Sequence, residues 1–215
     1  MGMTLPDWIV SALGGDVELW AAATVVVLIG VVARLYFGSV LFHPRYTHVW
    51  NVVRRFAVPL LQQVVYRHLP INVAIENHSE PNEYVGTVDE TARGLALAID
   101  GEREVEVPLL NGLKTSPDGR TESGTFVFYT GSRPPWAPRW LRAYQVDFTT
   151  FDRPDGRVDV YAHYEANAYR PDLAIDHLTK GPSFSAQKGV TRARAALTDA
   201  GITYQMVDQP AEADA

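Results

Sequence analysis

Asp147, His163 and Glu165 are the residues of this chain whose types and spacing best support chemistry. They fall within 143–167, where Arg153-Pro154-Asp155-Gly156-Arg157 carries the signature of a type I turn followed by a glycine bulge. Such a turn opposes Arg153 to Arg157 and sets every later pair. Counting outward, one face pairs Phe148 with Ala162, Val146 with Tyr164 and Tyr144 with Ala166. The other pairs Thr149 with Tyr161, Asp147 with His163 and Gln145 with Glu165. One face is then apolar and the other polar, which a one-residue slip would destroy. A carboxylate across from an imidazole can orient a general base or hold one metal ligand. The pattern aims no nucleophile at the three, so the expectation is a cross-strand charge pair on a solvated sheet face. The alternative is an enzyme or ligand-binding domain using Asp147, His163 and Glu165. Enclosure of the three side chains would favour it, and a flat exposed face would remove it.

Other chemistry is sparse. His163-Tyr164-Glu165 matches the H-x-E fragment of zinc deaminases, but the chain contains no cysteine to complete that site and none to act as nucleophile. His177, near Asp172 and Asp176, reads as a surface or capping histidine. The stretch 181–189 lacks the spacing of a phosphate-binding loop. The sequence therefore assigns no catalytic, cofactor-binding or metal-ligating residue, expects no cofactor, and reads the chain as non-enzymatic.

Two segments read as contact surfaces. The segment 131–142 interleaves three prolines with Arg133, Trp136, Arg139 and Trp140, and its extended backbone either covers the core or presents the tryptophans to a partner. Lys188, Arg192 and Arg194 form a local basic patch on the last helix that could meet phosphates of DNA or lipid. The formal charge of −6 argues against a domain devoted to polyanions. A protein partner is expected, and a nucleic-acid-contacting tether is a further alternative.

These side chains need elements to position them. The pattern predicts an α+β domain over 71–207. Its strands fall at 71–76, 84–88, 125–130 and 203–207, with a hairpin of 94–99 and 103–109 turning at Asp100-Gly101. Helices are expected at 172–178 and 185–200, the second with Val190, Ala193, Leu197 and Ala200 on one stripe and Gly201 as C-cap. Residues 208–215 read as an acidic tail. Over 43–70, Val49, Val53, Phe56, Leu60 and Val64 recur at helical spacing, with Arg54 and Arg55 on other faces. This is an amphipathic helix kinked near Pro59.

Residues 19–42 are almost unbroken apolar sequence, long enough as a helix to cross the roughly 30 Å hydrocarbon core of a bilayer. The sequence thus predicts a single-pass transmembrane helix over 17–42 behind a short extracytoplasmic segment 1–16. Trp20, Arg34 and Tyr36 fall at its interfaces, and Arg54 and Arg55 lie close to the lipid headgroups. Acids precede the span and arginines follow it, so the positive-inside rule places the domain in the cytoplasm, or in a virion interior, and the N-terminus outside.

The apolar span, the absence of cysteine, the preponderance of arginine among the basic residues (16 of 19) and the acidic tail resemble the conserved small membrane proteins of haloarchaeal pleomorphic viruses, the pleolipoviruses. That resemblance implies a viral or provirus-encoded membrane protein of unknown biochemical role and carries over no functional residue. The function expected is a membrane-anchored interaction protein that has the lipid bilayer as one partner and docks others through its domain.

Overall fold

In the computed structural model of the chain, residues 32, 40–55, 78–108 and 113–207 are described. Strands β1 (Tyr84–Val88), β2 (Val105–Glu106), β3 (Gly124–Thr130), β4 (Tyr144–Asp152), β5 (Val158–Ala166) and β6 (Tyr204–Gln205) form one antiparallel sheet in the order β2-β3-β4-β5-β1-β6. Helix α1 (Ala92–Arg103) follows β1. Helices α2 (Ala174–Leu178) and α3 (Ala186–Asp199) lie between β5 and β6.

The β4–β5 hairpin has the register its turn dictates. Arg153 and Arg157 close it with a 2.9 Å backbone hydrogen bond, and Gly156 takes a φ of 84° that a side chain would resist. Phe148 opposes Ala162, Asp147 opposes His163 and Gln145 opposes Glu165. The apolar face formed by Val146, Phe148, Val160 and Tyr164 packs beneath Leu95 and Ile99 of α1 and Val190 and Leu197 of α3. Apolar burial on this one face is the main stabilising contribution to the domain.

Helix α3 lies unusually close to the sheet because Gly189 faces β5. A Cβ there would sit 2.2 Å from His163 Cα and 2.6 Å from Tyr164 N. Its N-terminus is capped by the Ser185 hydroxyl, which accepts from the Lys188 amide at 3.2 Å.

Four expectations are corrected. Residues 94–103 are not a strand of a hairpin: Ala92, Leu95, Ala96 and Ile99 form a buried stripe at helical spacing, Thr91 caps the helix, and Asp100-Gly101 lies within it. The last strand shortens to Tyr204–Gln205. The helical stretch 47–55 is turned over: Thr47, Asn51 and Arg54 are buried, while Val49, Val52 and Val53 are 45%, 56% and 40% exposed. Arg54 sits not at a headgroup but in a buried ion pair with Glu122, at 2.7 Å.

The fourth correction is the membrane span. Among the described residues no helix is long and apolar enough to cross a membrane, so the single-pass architecture and the localisation built on it are not supported. Most of 17–42, with Trp20, Arg34 and Tyr36, lies outside the described residues. So do the strand at 71–76, the helix beyond 55 and the tail 208–215.

A buried histidine–carboxylate centre as candidate functional site

The face of the sheet opposite α1 and α3 is polar, as the register requires, but it is not solvated. Asp147, His163 and Glu165 retain only 2%, 2% and 7% of their exposure, which removes the expectation of a surface charge pair. Fully buried charges persist only when paired and hydrogen-bonded. Each of the three has such partners.

His163 stands at the middle. Its Nδ1 stands 3.1 Å from Glu83 Oε1 in an ion-pair contact, while Nε2 faces Asp147 Oδ2 at 3.8 Å and Glu165 Oε1 at 3.6 Å. Glu83 is held in place by the single 3-10 turn Pro81–Glu83 just before β1, where its Oε2 accepts from the Glu80 amide at 3.1 Å. Asp147 lies 3.1 Å from the Thr125 hydroxyl on β3 and 3.7 Å from Lys114 Nζ. Glu165 accepts from Gln145 Nε2 at 2.6 Å, and its second oxygen lies 3.2 Å from His177 Nδ1, which also reaches the Ala166 carbonyl at 2.9 Å. The Phe184 ring lies 5.0 Å from the His163 ring.

These neighbours set the proton affinities. Burial and the Lys114 ammonium push the His163 imidazolium towards losing its proton. The Glu165 charge, with hydrogen bonds to Glu165 and Glu83, more than reverses this and raises its pKa to about 10. Burial acts to raise Glu165, yet His163 and His177 hold it well below the ordinary carboxylate range. His177 is raised by Glu165 against the effect of its own burial.

Counted at their ordinary charges, Glu83, Asp147 and Glu165 carry three negative charges against one on Lys114. Two protonated imidazoles neutralise the set, and two neutral imidazoles leave it short of two positive charges.

Glu83 and Lys114 were not legible as site residues, because each comes from an irregular segment far from the hairpin in sequence. The one signal was local: Glu80-Pro81-Asn82-Glu83 has the Pro and the downstream Glu of a capped turn. His177, read as a surface group, is partly buried against Glu165.

The expected contact surfaces are largely occupied by the protein itself. Lys188 lies 3.5 Å from the centre of the Tyr164 ring, Arg192 stacks on the same ring and bonds Thr130 Oγ1, and Arg194 bonds the Val85 carbonyl. Arg133 bonds the Ala137 carbonyl, and Trp140 packs edge-on against Tyr169. Trp136 is 80% exposed, Arg55 is exposed, and Arg139 belongs to the 3-10 turn Arg139–Leu141.

Fold and site together define a class: an α+β domain with α1 and α3 on one face of an antiparallel sheet and an enclosed histidine–carboxylate centre, reached by α2, on the other. Comparison with protein-family models, curated proteins and solved structures gave no match. The resemblance to pleolipovirus membrane proteins is thus left resting on composition and layout.

Proposed function

We propose that the domain is a cation-binding domain whose receptor is the centre around His163. The observation that carries this reading is the joint burial of Asp147, His163 and Glu165 with Nε2 of the imidazole turned towards both carboxylates. As a device for stability such a centre is poor. Each buried ion forfeits several kcal/mol of hydration, and apolar residues of the same volume commonly serve the fold as well or better. Charge clusters kept at that cost mark working positions. Three carboxylates grouped around the imidazoles favour a cation over an anion as the ligand. The reading is one of binding and assigns no reaction.

The experiment is thermal unfolding of the full chain against a panel of cations: divalent transition metals, Mg2+, Ca2+, spermidine and guanidinium. A ligand taken up only by the native state adds about 2.7 kcal/mol of stability at one hundred times its Kd. At least one cation is expected to raise the melting temperature of the parent but not that of the Asp147→Asn/Glu165→Gln variant, which itself melts no lower than the ligand-free parent. A variant that melts far below the parent, with no cation raising the parent, would make the centre a structural network and overturn the reading.

A second reading, docking of a protein partner, is favoured by the reversed helical stretch 47–55. It buries Arg54 and Asn51 and turns Val49, Val52 and Val53 to solvent. An apolar row left outward while an arginine is buried is the arrangement of a contact surface. Val52→Glu should leave the melting temperature unchanged under this reading and lower it if the row packs within the fold.

A further inference from the structure

Resting on the cation-binding reading, we infer that the occupant of the centre is a divalent transition-metal ion, held by His163 Nε2 and one oxygen each of Asp147 and Glu165, with Glu83 orienting the imidazole. The donor set separates this from other cations. An imidazole nitrogen among carboxylates suits zinc, cobalt, nickel, iron or manganese, whereas Ca2+ and Mg2+ prefer shells of oxygen and water. Organic ammonium and guanidinium ions need acceptors arranged around several N–H groups, and the Nε2 lone pair can serve only one.

Geometry agrees. One donor atom from each of the three side chains lies within 4.8 Å of the others, and Nε2 is 3.8 and 3.6 Å from its two carboxylate oxygens. Ligands bonded to one ion at about 2.1 Å in a tetrahedral arrangement stand roughly 3.4 Å apart. Closing the site therefore takes shifts of a few tenths of an ångström at the two Nε2–carboxylate pairs and up to about 1.4 Å between the two carboxylates, which side-chain torsions on unmoved strands can supply. Asp147, on β4, directly opposes His163 on β5, and Glu165 follows two residues later on the same face.

The surroundings match what a metal-bound histidine requires. Glu83 beside Nδ1 favours keeping the proton on that nitrogen, so a metal would bind at Nε2 by displacing the proton that the imidazolium turns towards the carboxylates. Each ligating carboxylate has an outer partner of its own: Thr125 for Asp147, and Gln145 and His177 for Glu165. Three protein ligands leave a coordination position for a further group. The Lys114 ammonium, 3.7 Å from Asp147 Oδ2, opposes the cation, so its removal should tighten binding.

The test uses the full chain stripped of metal and titrated with Co2+ and Zn2+ alone. Expected are visible absorption bands of cobalt bound to nitrogen and oxygen, and one Zn2+ per chain by calorimetry. Glu83→Gln should weaken Zn2+ by about 10- to 100-fold. His163→Gln should weaken it further, and Lys114→Met should strengthen it. Nitrogen-15 spectra of the unmodified protein give a second readout that does not depend on a folded His163→Gln. Zn2+ should move the Nε2 resonance of His163 and leave Nδ1 protonated.

No uptake at millimolar metal, uptake that His163→Gln leaves intact in a folded protein, or a shift at Nδ1 or confined to His177 would each overturn the inference. If metal fails while another cation stabilises the parent but not Asp147→Asn/Glu165→Gln, the error lies in the class of ligand. If no cation acts and that variant unfolds, the underlying reading has failed.

Discussion

Replacing Gly189 by alanine sets two effects of opposite sign against each other. Alanine is favoured over glycine inside a helix by roughly 1 kcal/mol, so propensity alone predicts a more stable protein. Packing predicts the reverse. The added Cβ would lie 2.2 Å from His163 Cα, 2.4 Å from its carbonyl carbon and 2.6 Å from Tyr164 N, all of them backbone atoms that cannot rotate away.

Carbon atoms rest comfortably at about 3.5 Å, so α3 and β5 must separate by roughly 1 Å. That movement would lift Val190, Ala193 and Leu197 from the apolar face of the sheet. Overpacking of this kind costs about 1–3 kcal/mol, and rigid backbone on one side puts this case at the upper end. The net expectation is a loss of roughly 2 kcal/mol, or a melting temperature lower by roughly 4–8 °C for a chain of this size.

Gly101, inside α1 with nothing within 4 Å of its would-be Cβ, supplies the control. Gly101→Ala should gain up to about 1 kcal/mol. Urea denaturation of both variants decides the matter. A Gly189→Ala protein as stable as the parent, or gaining as much as Gly101→Ala, would refute the close packing on which the position of His163 depends.

The buried Arg54–Glu122 pair gives a second prediction: Arg54→Met should cost about 3–5 kcal/mol by stranding the Glu122 carboxylate. Adding Glu122→Gln should recover much of that loss in a double-mutant cycle read by urea denaturation, and simple additivity would contradict the pairing. In the hairpin turn, hydrogen bonds from the Arg157 side chain and backbone lower Asp155 to about 2, from an ordinary value of 3.8. A folded-state pKa below the unfolded one stabilises the turn above about pH 4 and loses that effect as pH falls towards 2. Carbon-13 titration of the Asp155 carboxyl should find its midpoint near 2, and a midpoint near 4 would contradict the contact.

The hairpin was legible because its turn chemistry is local. Pro154-Asp155-Gly156 sets the register, and the register places Asp147, His163 and Glu165 on one face. Burial of that face was not legible, because alternation separates two faces without saying what lies over the polar one. Glu83, Lys114 and Phe184 reach it from turns and loops that carry no period, and His177 from the short helix α2.

Helix α1 was misread for the opposite reason. Asp100-Gly101 has the local look of a hairpin turn, and the 3.6-residue stripe of Leu95, Ala96 and Ile99 overrides it once β3 and β4 offer a face to bury against. Hydrophobic spacing gave 47–55 an apolar face with Val49 and Val53 without saying what that face meets. The Arg54–Glu122 pair and the bond from Asn51 to the Ser123 carbonyl turn the other side to the domain.

The central claim is that the centre on the polar face holds a metal ion. Anomalous diffraction at the zinc edge, from crystals of the full chain grown with Zn2+, tests it most directly. A single strong peak between His163 Nε2, Asp147 and Glu165, with Glu83 still beside Nδ1, is the predicted result. Zinc found only on surface histidines, with the three buried side chains still in direct contact with one another, would contradict it.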